Sequence, residues 1–522
     1  MFFCAALSTA VAQQAGMPDN SFDTDGKLVF QVGTANSFAR AIAVQPDQKI
    51  IIAGYAANGT HNNFGLARLM PDGSFDSSFS GDGKTMADFN MTNDYVNGIA
   101  IDAAGRIVAG GYTFTGNGFE FALTRYDSNG NTDTTFGNGG RQTTSFGVTT
   151  FGHAVAIQAD GRILLGGYSF QSPFNQFSIA RYLDTGMPDT SFNGTGKVIT
   201  SIGTGNSVAS CMGIQSDGKI VLAGQTFNTS TNHWEFALVR YLGNGLPDPS
   251  FGTNGIVTGT FGAKDYFITS LTIGAGDKII VAGCSGTTPS DNNFTLARYL
   301  SDGTMDGTFG NSGLLEFPAG LQNNQAQAVT IQPDGKIVVA GYAQSGSADR
   351  FVIARLDDTG NPDLSFGTSG VTVTPVGTND GIYTLAIQAD GKILAAGTTF
   401  NGNGFDMAVI RYLPGVTSGI SNVDKSELSL QVYPNPVSYN SVLSYSLSTP
   451  ETVAITVHDI NGMEIGTVSS SRLHNAGSYQ LPLLLPTSIS AGTYFILLAT
   501  GSGKFDVQQV TVTSQGKTGF RR

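Results

Sequence analysis

Short runs in which apolar and polar residues alternate, each closed by Gly, Asp or Asn, fill most of the chain. In one stretch QAVTIQ (residues 327–332) meets Pro333-Asp334-Gly335, which turns the chain into KIVVAGY; a variable loop then leads to FVIARLD, and TGNPDLSFGTSG leads to VTVTPV. Period-two alternation broken by Asp-Gly turns predicts antiparallel hairpins, so this unit reads as four strands. The unit repeats. Its turn cation recurs as Lys49, Arg106, Arg162, Lys219, Lys278, Lys336 and Lys392, at steps of 57, 56, 57, 59, 58 and 56 residues. Seven four-stranded units of this period predict an all-β chain folded as a seven-bladed β-propeller.

The phase of the repeats predicts how the ring closes. A PDxSF motif spans Pro18 to Phe22, ahead of the first turn, and returns with Asp76, Asp133, Asp189, Asp248, Asp306 and Asp363, but none follows the seventh unit, which ends at Arg411-Tyr412. The N-terminal segment Lys27 to Val32 is therefore expected to supply the missing fourth strand, as a clasp that hides two open edges. Period two also puts an Arg on the same face as apolar neighbours in each third strand, as in Phe64, Leu66 and Arg68. An Arg so placed needs a partner. The PDxSF aspartates lie eight residues downstream, so ion pairs are expected between Arg68 and Asp76, Arg125 and Asp133, Arg181 and Asp189, Arg240 and Asp248, Arg298 and Asp306, and Arg355 and Asp363.

Beyond Arg411 the pattern stops. Residues 416–427 read as a linker, and residues 428–522 as a second module with strands at Leu428–Val432, Val442–Leu447, Val453–His458, Tyr479–Leu485, Gly492–Ala499 and Val507–Val512, an antiparallel β-sandwich. At the other end an apolar run closes on Ala10-Val11-Ala12, so residues 1–12 read as a signal peptide without the usual basic start, and residues 13–415 as the propeller. No later apolar run has the roughly 18 to 20 residues of a membrane helix.

Composition narrows the partners. The 69 glycines suit many tight turns, and a net charge of -12 would repel a phosphate backbone, so nucleic acid is not expected as a partner. Cys211 and Cys284 occupy unrelated columns of different repeats and read as buried fillers. No HExxH, CxxC, G-x-S-x-G or Walker pattern occurs, and Asp23-Thr24-Asp25-Gly26 lacks the distal Glu of a calcium loop and reads as a turn. These absences lead to the expectation of a non-enzyme with no catalytic residue, metal or cofactor.

Two sets of residues are candidates for contact with a ligand. The first is a column on the innermost strands, Arg40, Asn97, His153, Ser210, Thr269, Gln327 and Tyr383, polar or amphipathic in every repeat and the same in none, expected to rim the central channel. The column holds no Asp or Glu, which argues against a facing pair of catalytic carboxylates. The second is a set of loop aromatics between second and third strands, Phe114 and Phe119, Phe170 and Phe174, Phe227 and Trp234, Phe400 and Phe405. Of these, Phe174 and Trp234 are the candidates to stack on a glycan or anchor a protein.

The repeated run PDxSFGxxG, then IAIQPDGKIxxAGY, then FxLARY resembles the delta-60 repeat family, which implies a propeller of bacterial surface or secreted proteins with no assigned reaction. The second module is similar to type IX secretion C-terminal sorting domains through VYPNPV (Val432 to Val437, with Tyr433, Pro434, Asn435 and Pro436), VAITVHDINGMEI (with Gly462), AGSY and SAGTYFILL (with Gly492 and Tyr494). That resemblance implies passage through the periplasm and across the outer membrane of a Bacteroidota cell, with the type IX machinery and its sortase as partners. The expectation is a secreted or outer-surface binding or adhesion module. The alternatives are an extracellular polysaccharide hydrolase or lyase with its site at the channel mouth, or a structural surface protein.

Overall fold

The structure is a computed structural model that describes residues 14–415 except 260 and 289, and residues 428–512 except 434, 436, 438–440, 459–463, 486–488, 491 and 502–504. The expected leader (1–12), the linker (416–427) and Pro434, Pro436 and Gly462 lie outside the described residues. The chain divides into two compact units, Met1–Val416 and Thr417–Arg522.

The alternating runs pair as hairpins because each turn meets its stereochemical demand. In four blades the Asp-Gly turn puts its Gly at positive φ, as at Gly335 (+85°); blade 2 does the same with Ala104-Gly105 (+78°), and in blade 1 Gln48 takes the same left-handed conformation at +66°. The result is seven sheets of four antiparallel strands. Blade 1 runs outward through Ser37–Val44, Ile50–Asn58, His61–Leu69 and Lys84–Ala87. The innermost strands of successive blades pack side by side, and the last, Asp380–Ile387, packs on the first. The ring is closed.

Its cores lie between blades. Ile51, Ala53, Phe64 and Leu66 of blade 1 meet Val96, Ile107, Ala109 and Ala122 of blade 2, and the same arrangement recurs around the ring. Second and third strands are thus covered on both faces, which is why they read as continuous apolar runs. Burying each large aliphatic side chain contributes about 1.5–3 kcal/mol.

The clasp strand is Lys27–Phe30, which pairs antiparallel with Phe405–Tyr412, Lys27 opposite Ile410 and Phe30 opposite Met407. It stops two residues short of the expected Val32, where the Val32 N–H turns to the Ser37 hydroxyl at 3.2 Å.

The repeated motif residues assemble one corner seven times. Arg Nε of each third strand lies 2.8–2.9 Å from the PDxSF Asp Oδ2. The guanidinium stands 4.5–4.9 Å from the centroid of the PDxSF Phe. The motif Ser or Thr donates to the Asp and accepts from Arg Nη2, as Ser78 does at 2.6 and 3.0 Å. Arg Nη1 then reaches forward to a backbone carbonyl of the next blade, Ser128 from Arg68, Gly243 from Arg181 and Ser301 from Arg240. Arg411 has no Asp eight residues downstream. Its carboxylate is Asp19 of the N-terminal segment at 2.9 Å, and its forward carbonyl is Pro71 of blade 1. The turn cation joins the same Asp in six blades, as Lys49 joins Asp76 at 3.0 Å; in blade 2, Arg106 instead pairs with Asp102 and Asp184.

The second unit holds a three-stranded sheet, Gln431–Tyr433, Val442–Leu447 and Gly477–Pro482, and a four-stranded sheet ordered Glu464–His474, Glu451–His458, Gly492–Thr500, Phe505–Val512. Leu443, Tyr445, Val453, Ile455, Ile496, Leu498 and Val510 form its core. The strand Glu464–His474 is absent from the sequence reading. Its Ser469-Ser470-Ser471 centre shows no apolar alternation, and its pairing with Glu451–His458 is broken by register shifts. Of the sorting-motif residues, Tyr433 is 80% exposed, Asn435 Oδ1 accepts the Thr511 N–H at 2.9 Å, Gly492 opens a strand, and buried Tyr494 donates to the Ser490 carbonyl at 3.0 Å.

Candidate functional site

Every innermost strand slips register against its neighbour at an equivalent residue, and the seven residues are Arg40, Asn97, His153, Ser210, Thr269, Gln327 and Tyr383; the strand of blade 6 slips a second time between Gln322 and Gln325. A bulge leaves its extra residue without a ladder partner and bends the strand, so each of these side chains is aimed by the kink. The cause lies across the ladder. At Gly54 an added Cβ would sit 1.7 Å from the Phe38 carbonyl oxygen, and at Gly224 1.9 Å from that of Val208; the equivalent Gly of each second strand is the residue that admits the bulge.

The bulge residues are half-buried and several tie one blade to another. Asn97 Nδ2 donates to the Gly152 carbonyl at 2.9 Å, and the Thr269 hydroxyl contacts the Ala282 and Ala326 carbonyls at 3.1 and 2.9 Å. Arg40 Nη2 donates to the Tyr55 hydroxyl at 3.1 Å, with the guanidinium 4.1 Å from the centroid of the Tyr383 ring of blade 7. His153 stacks on Tyr168 at 5.5 Å. Ser210 and Gln327 complete the ring.

The same kink organises a larger feature. Two residues before three of the bulges stand Phe38, Tyr95 and Phe151, and directly across the ladder from them stand Tyr55, Tyr112 and Tyr168. The rings touch in series: Phe38 and Tyr55 at 4.8 Å, Tyr55 and Tyr95 at 5.0 Å, Tyr95 and Tyr112 at 5.0 Å, Tyr112 and Phe151 at 5.1 Å, Phe151 and Tyr168 at 5.0 Å. Phe405 of blade 7 extends the series from Phe38 at 5.2 Å, and Phe400 from Phe405 at 5.1 Å. Phe119 leans on Tyr112 and Phe151 at 5.2 and 5.3 Å. The arc spans four blades on the face that carries the second-to-third-strand loops, and its members are half-buried. The signal for it in the sequence is the Tyr that follows the second-strand Gly in blades 1, 2 and 3, read together with the column two residues before the rim.

The two loop aromatics singled out from sequence are placed differently. Trp234 is half-buried against Phe227 at 5.5 Å and Phe267 at 6.1 Å. Phe174 sits opposite Gln171, while Phe170 sits opposite Asn175, so this pair does not face across its hairpin as Phe114–Phe119, Phe227–Trp234 and Phe400–Phe405 do.

Burial sets the electrostatics. It pushes the His153 imidazole down to about 4, with the Arg40 charge adding in the same direction, so the ring is neutral at pH 7. Burial also raises the Tyr112 and Tyr168 phenols, which stay protonated donors. Arg40, always charged, forms no ion pair among the described residues.

A closed ring of seven four-stranded blades, sealed by the N-terminal strand and accompanied by a separate β-sandwich, defines a two-part all-β protein of the propeller class. Seven segments, 45–79, 105–136, 158–192, 215–251, 277–309, 332–366 and 388–415, match the DUF5122 beta-propeller domain of unknown function, and residues 431–512 match the secretion system C-terminal sorting domain. The chain thus carries DUF5122 propeller repeats and a type IX C-terminal sorting domain, and that domain indicates export and engagement of the type IX machinery. No curated protein matches the chain. Similar solved structures are Sqt1 from Chaetomium thermophilum (12% identity, 77% of this chain and 99% of that one, TM-score 0.41), a PL25 ulvan lyase bound to -[GlcA(1-4)Rha3S]- (11%, 74% and 96%, 0.44) and an endo-arabinase from Bacteroides thetaiotaomicron (10%, 56% and 100%, 0.31).

The expectation of a non-enzyme is corrected by this comparison, because polysaccharide lyases and arabinanases stand among the similar structures. The physical reason is that residues converging on a channel come from different blades. No short motif marks such a set.

Proposed function

We propose that the chain is an exported propeller that recognises saccharide polymers on its aromatic face. The observation that supports this is the unbroken series of half-buried rings from Phe400 and Phe405 through Phe38 to Tyr168. Amphipathic rings held rigid by one another offer flat apolar area with hydroxyls at the edge, at little conformational cost on binding. Residues 13–415 are then the cargo, 428–522 the sorting module, 1–12 the leader and 416–427 the linker, with the cargo released or held at the outer surface after passage through the periplasm.

The test is affinity electrophoresis of the full chain in gels containing neutral and acidic polysaccharides, with product release followed by reducing ends and by absorbance of unsaturated sugars. Tyr95→Ala with Phe119→Ala is expected to lose roughly tenfold in retardation, about two ring contacts at 0.5–1.5 kcal/mol each. Mobility of the parent chain unaffected by every polymer would refute the reading. Deleting residues 428–522 is expected to leave the propeller in the periplasm of the native cell.

A further inference from the structure

We infer that the channel mouth holds an anion site built on Arg40, and that the saccharide bound on the aromatic face is an acidic one carrying carboxylate or sulfate; this rests on the saccharide reading above. Arg40 contrasts with the cations of the blade corners. Each corner Arg has a carboxylate within 2.9 Å, whereas Arg40 has none among the described residues. What it has is an aromatic cradle, with Tyr383 4.1 Å and Tyr55 5.5 Å from the guanidinium and one hydrogen bond to the Tyr55 hydroxyl. One donor of five is used by that bond.

A half-buried guanidinium backed by rings keeps unused donors that an anion can meet. Its planar fork matches two oxygens of a carboxylate or a sulfate, and the ring behind it fixes the plane of approach. The bulge accounts for its place, since a residue outside the ladder is free to turn inward.

On blades 3 and 4, His153 Nε2 and Gln225 Oε1 are buried without a hydrogen-bond partner. A neutral imidazole and an amide oxygen suit sugar hydroxyls. His153 adds no second charge, so Arg40 supplies the one positive charge of this group, matched to a single acidic substituent.

The full chain is titrated with polygalacturonate, dextran sulfate and neutral dextran. The whole protein is acidic, with a net charge of -12, so retention of a polyanion is a specific result. At least one acidic polymer is expected to bind tenfold or more tightly than dextran. Arg40→Gln is expected to abolish that preference, lowering acidic-polymer affinity roughly tenfold more than dextran affinity, and Arg40→Lys to restore part of it. The acidic polymer that responds identifies the anion. Equal binding of dextran and both polyanions, or an Arg40→Gln protein that binds acidic polymer like the parent, overturns the inference and leaves the saccharide reading standing. If no polymer binds, the saccharide reading falls. Sodium glucuronate and sodium sulfate are then titrated against the tyrosine ring resonances. A saturable shift lost in Arg40→Gln supports the anion site, and no shift overturns it.

Discussion

Replacing Asp19 by Ala tests the closure of the ring at a single carboxylate. Asp19 is 3% exposed and lies 2.9 Å from Arg411 Nε and 3.3 Å from Lys392 Nζ, while its Oδ1 accepts the Ser21 N–H and hydroxyl at 3.0 and 2.7 Å. Burial works against its charge, but Ser21 and Arg411 hold its pKa below the usual carboxylate range. The substitution strands the Arg411 guanidinium, 5% exposed, over the Phe22 ring with only carbonyl and hydroxyl partners. Removing one partner of such a buried pair costs about 3–5 kcal/mol. Asp47→Ala is the control: Asp47 is 57% exposed, 3.6 Å from Lys49, and worth about 0–1 kcal/mol. The assay is urea unfolding of the propeller followed by tyrosine fluorescence, comparing midpoints at unchanged slope. The double variant Asp19→Ala, Arg411→Met removes both charges and is expected to be more stable than the sum of the single losses implies. Equal midpoints for Asp19→Ala and Asp47→Ala, or strict additivity in the double variant, would refute the reasoning.

Three further outcomes are expected. Gly224→Ala places a Cβ 1.9 Å from a backbone carbonyl and should cost roughly 3 kcal/mol by denaturation, against about 1 kcal/mol for Gly59→Ala, which has φ +76° and open space around it. Arg181→Ala removes a corner that reaches the Gly243 carbonyl of the next blade and should lower the unfolding free energy by about 3–5 kcal/mol; an unchanged melting temperature would show that the corner does not hold the blades. Burial raises buried Asp94 to about 6, opposed by hydrogen bonds from Thr113 and the Phe89 N–H. The folded chain therefore keeps this proton longer than the unfolded one, and its stabilising contribution, full below about pH 4, is lost as pH rises through 6, by about 3 kcal/mol. Asp94→Asn should remove that slope from the stability profile, as Asn324 already occupies the equivalent place in blade 6, accepting the Ala319 N–H at 3.1 Å.

The architecture was legible because its determinants are local and repeated: the Asp-Gly turns, the step of about 57 residues and the motif that precedes the first turn but does not follow the last. The forward reach of each Arg to the next blade was not, since a backbone carbonyl leaves no mark in a sequence. The second-strand glycine is equally plain as a pattern, yet its reason, a carbonyl pressed against it by a bulge, exists only once register is known. The aromatic arc was missed for a similar cause. Phe38 and Phe405 touch at 5.2 Å only because the ring closes, whereas reading one hairpin at a time picks out pairs such as Phe114 and Phe119. In blade 3 that habit fails, because the tight turn at Ser172-Pro173 sets Phe174 against Gln171. The strand Glu464–His474 shows the complementary limit, since its serine-rich centre hides a strand that pairing alone reveals.

The seam between Lys27–Phe30 and Phe405–Tyr412 has a temporal side. Along the chain the opening strand comes before six complete blades, and its partner Phe405–Tyr412 is the last strand of the propeller to be made. The sheet that accepts it is made immediately before the sorting module. By the time the chain displays its address for export, every piece needed to seal the cargo has left the ribosome, so the label is appended to a wheel already able to shut.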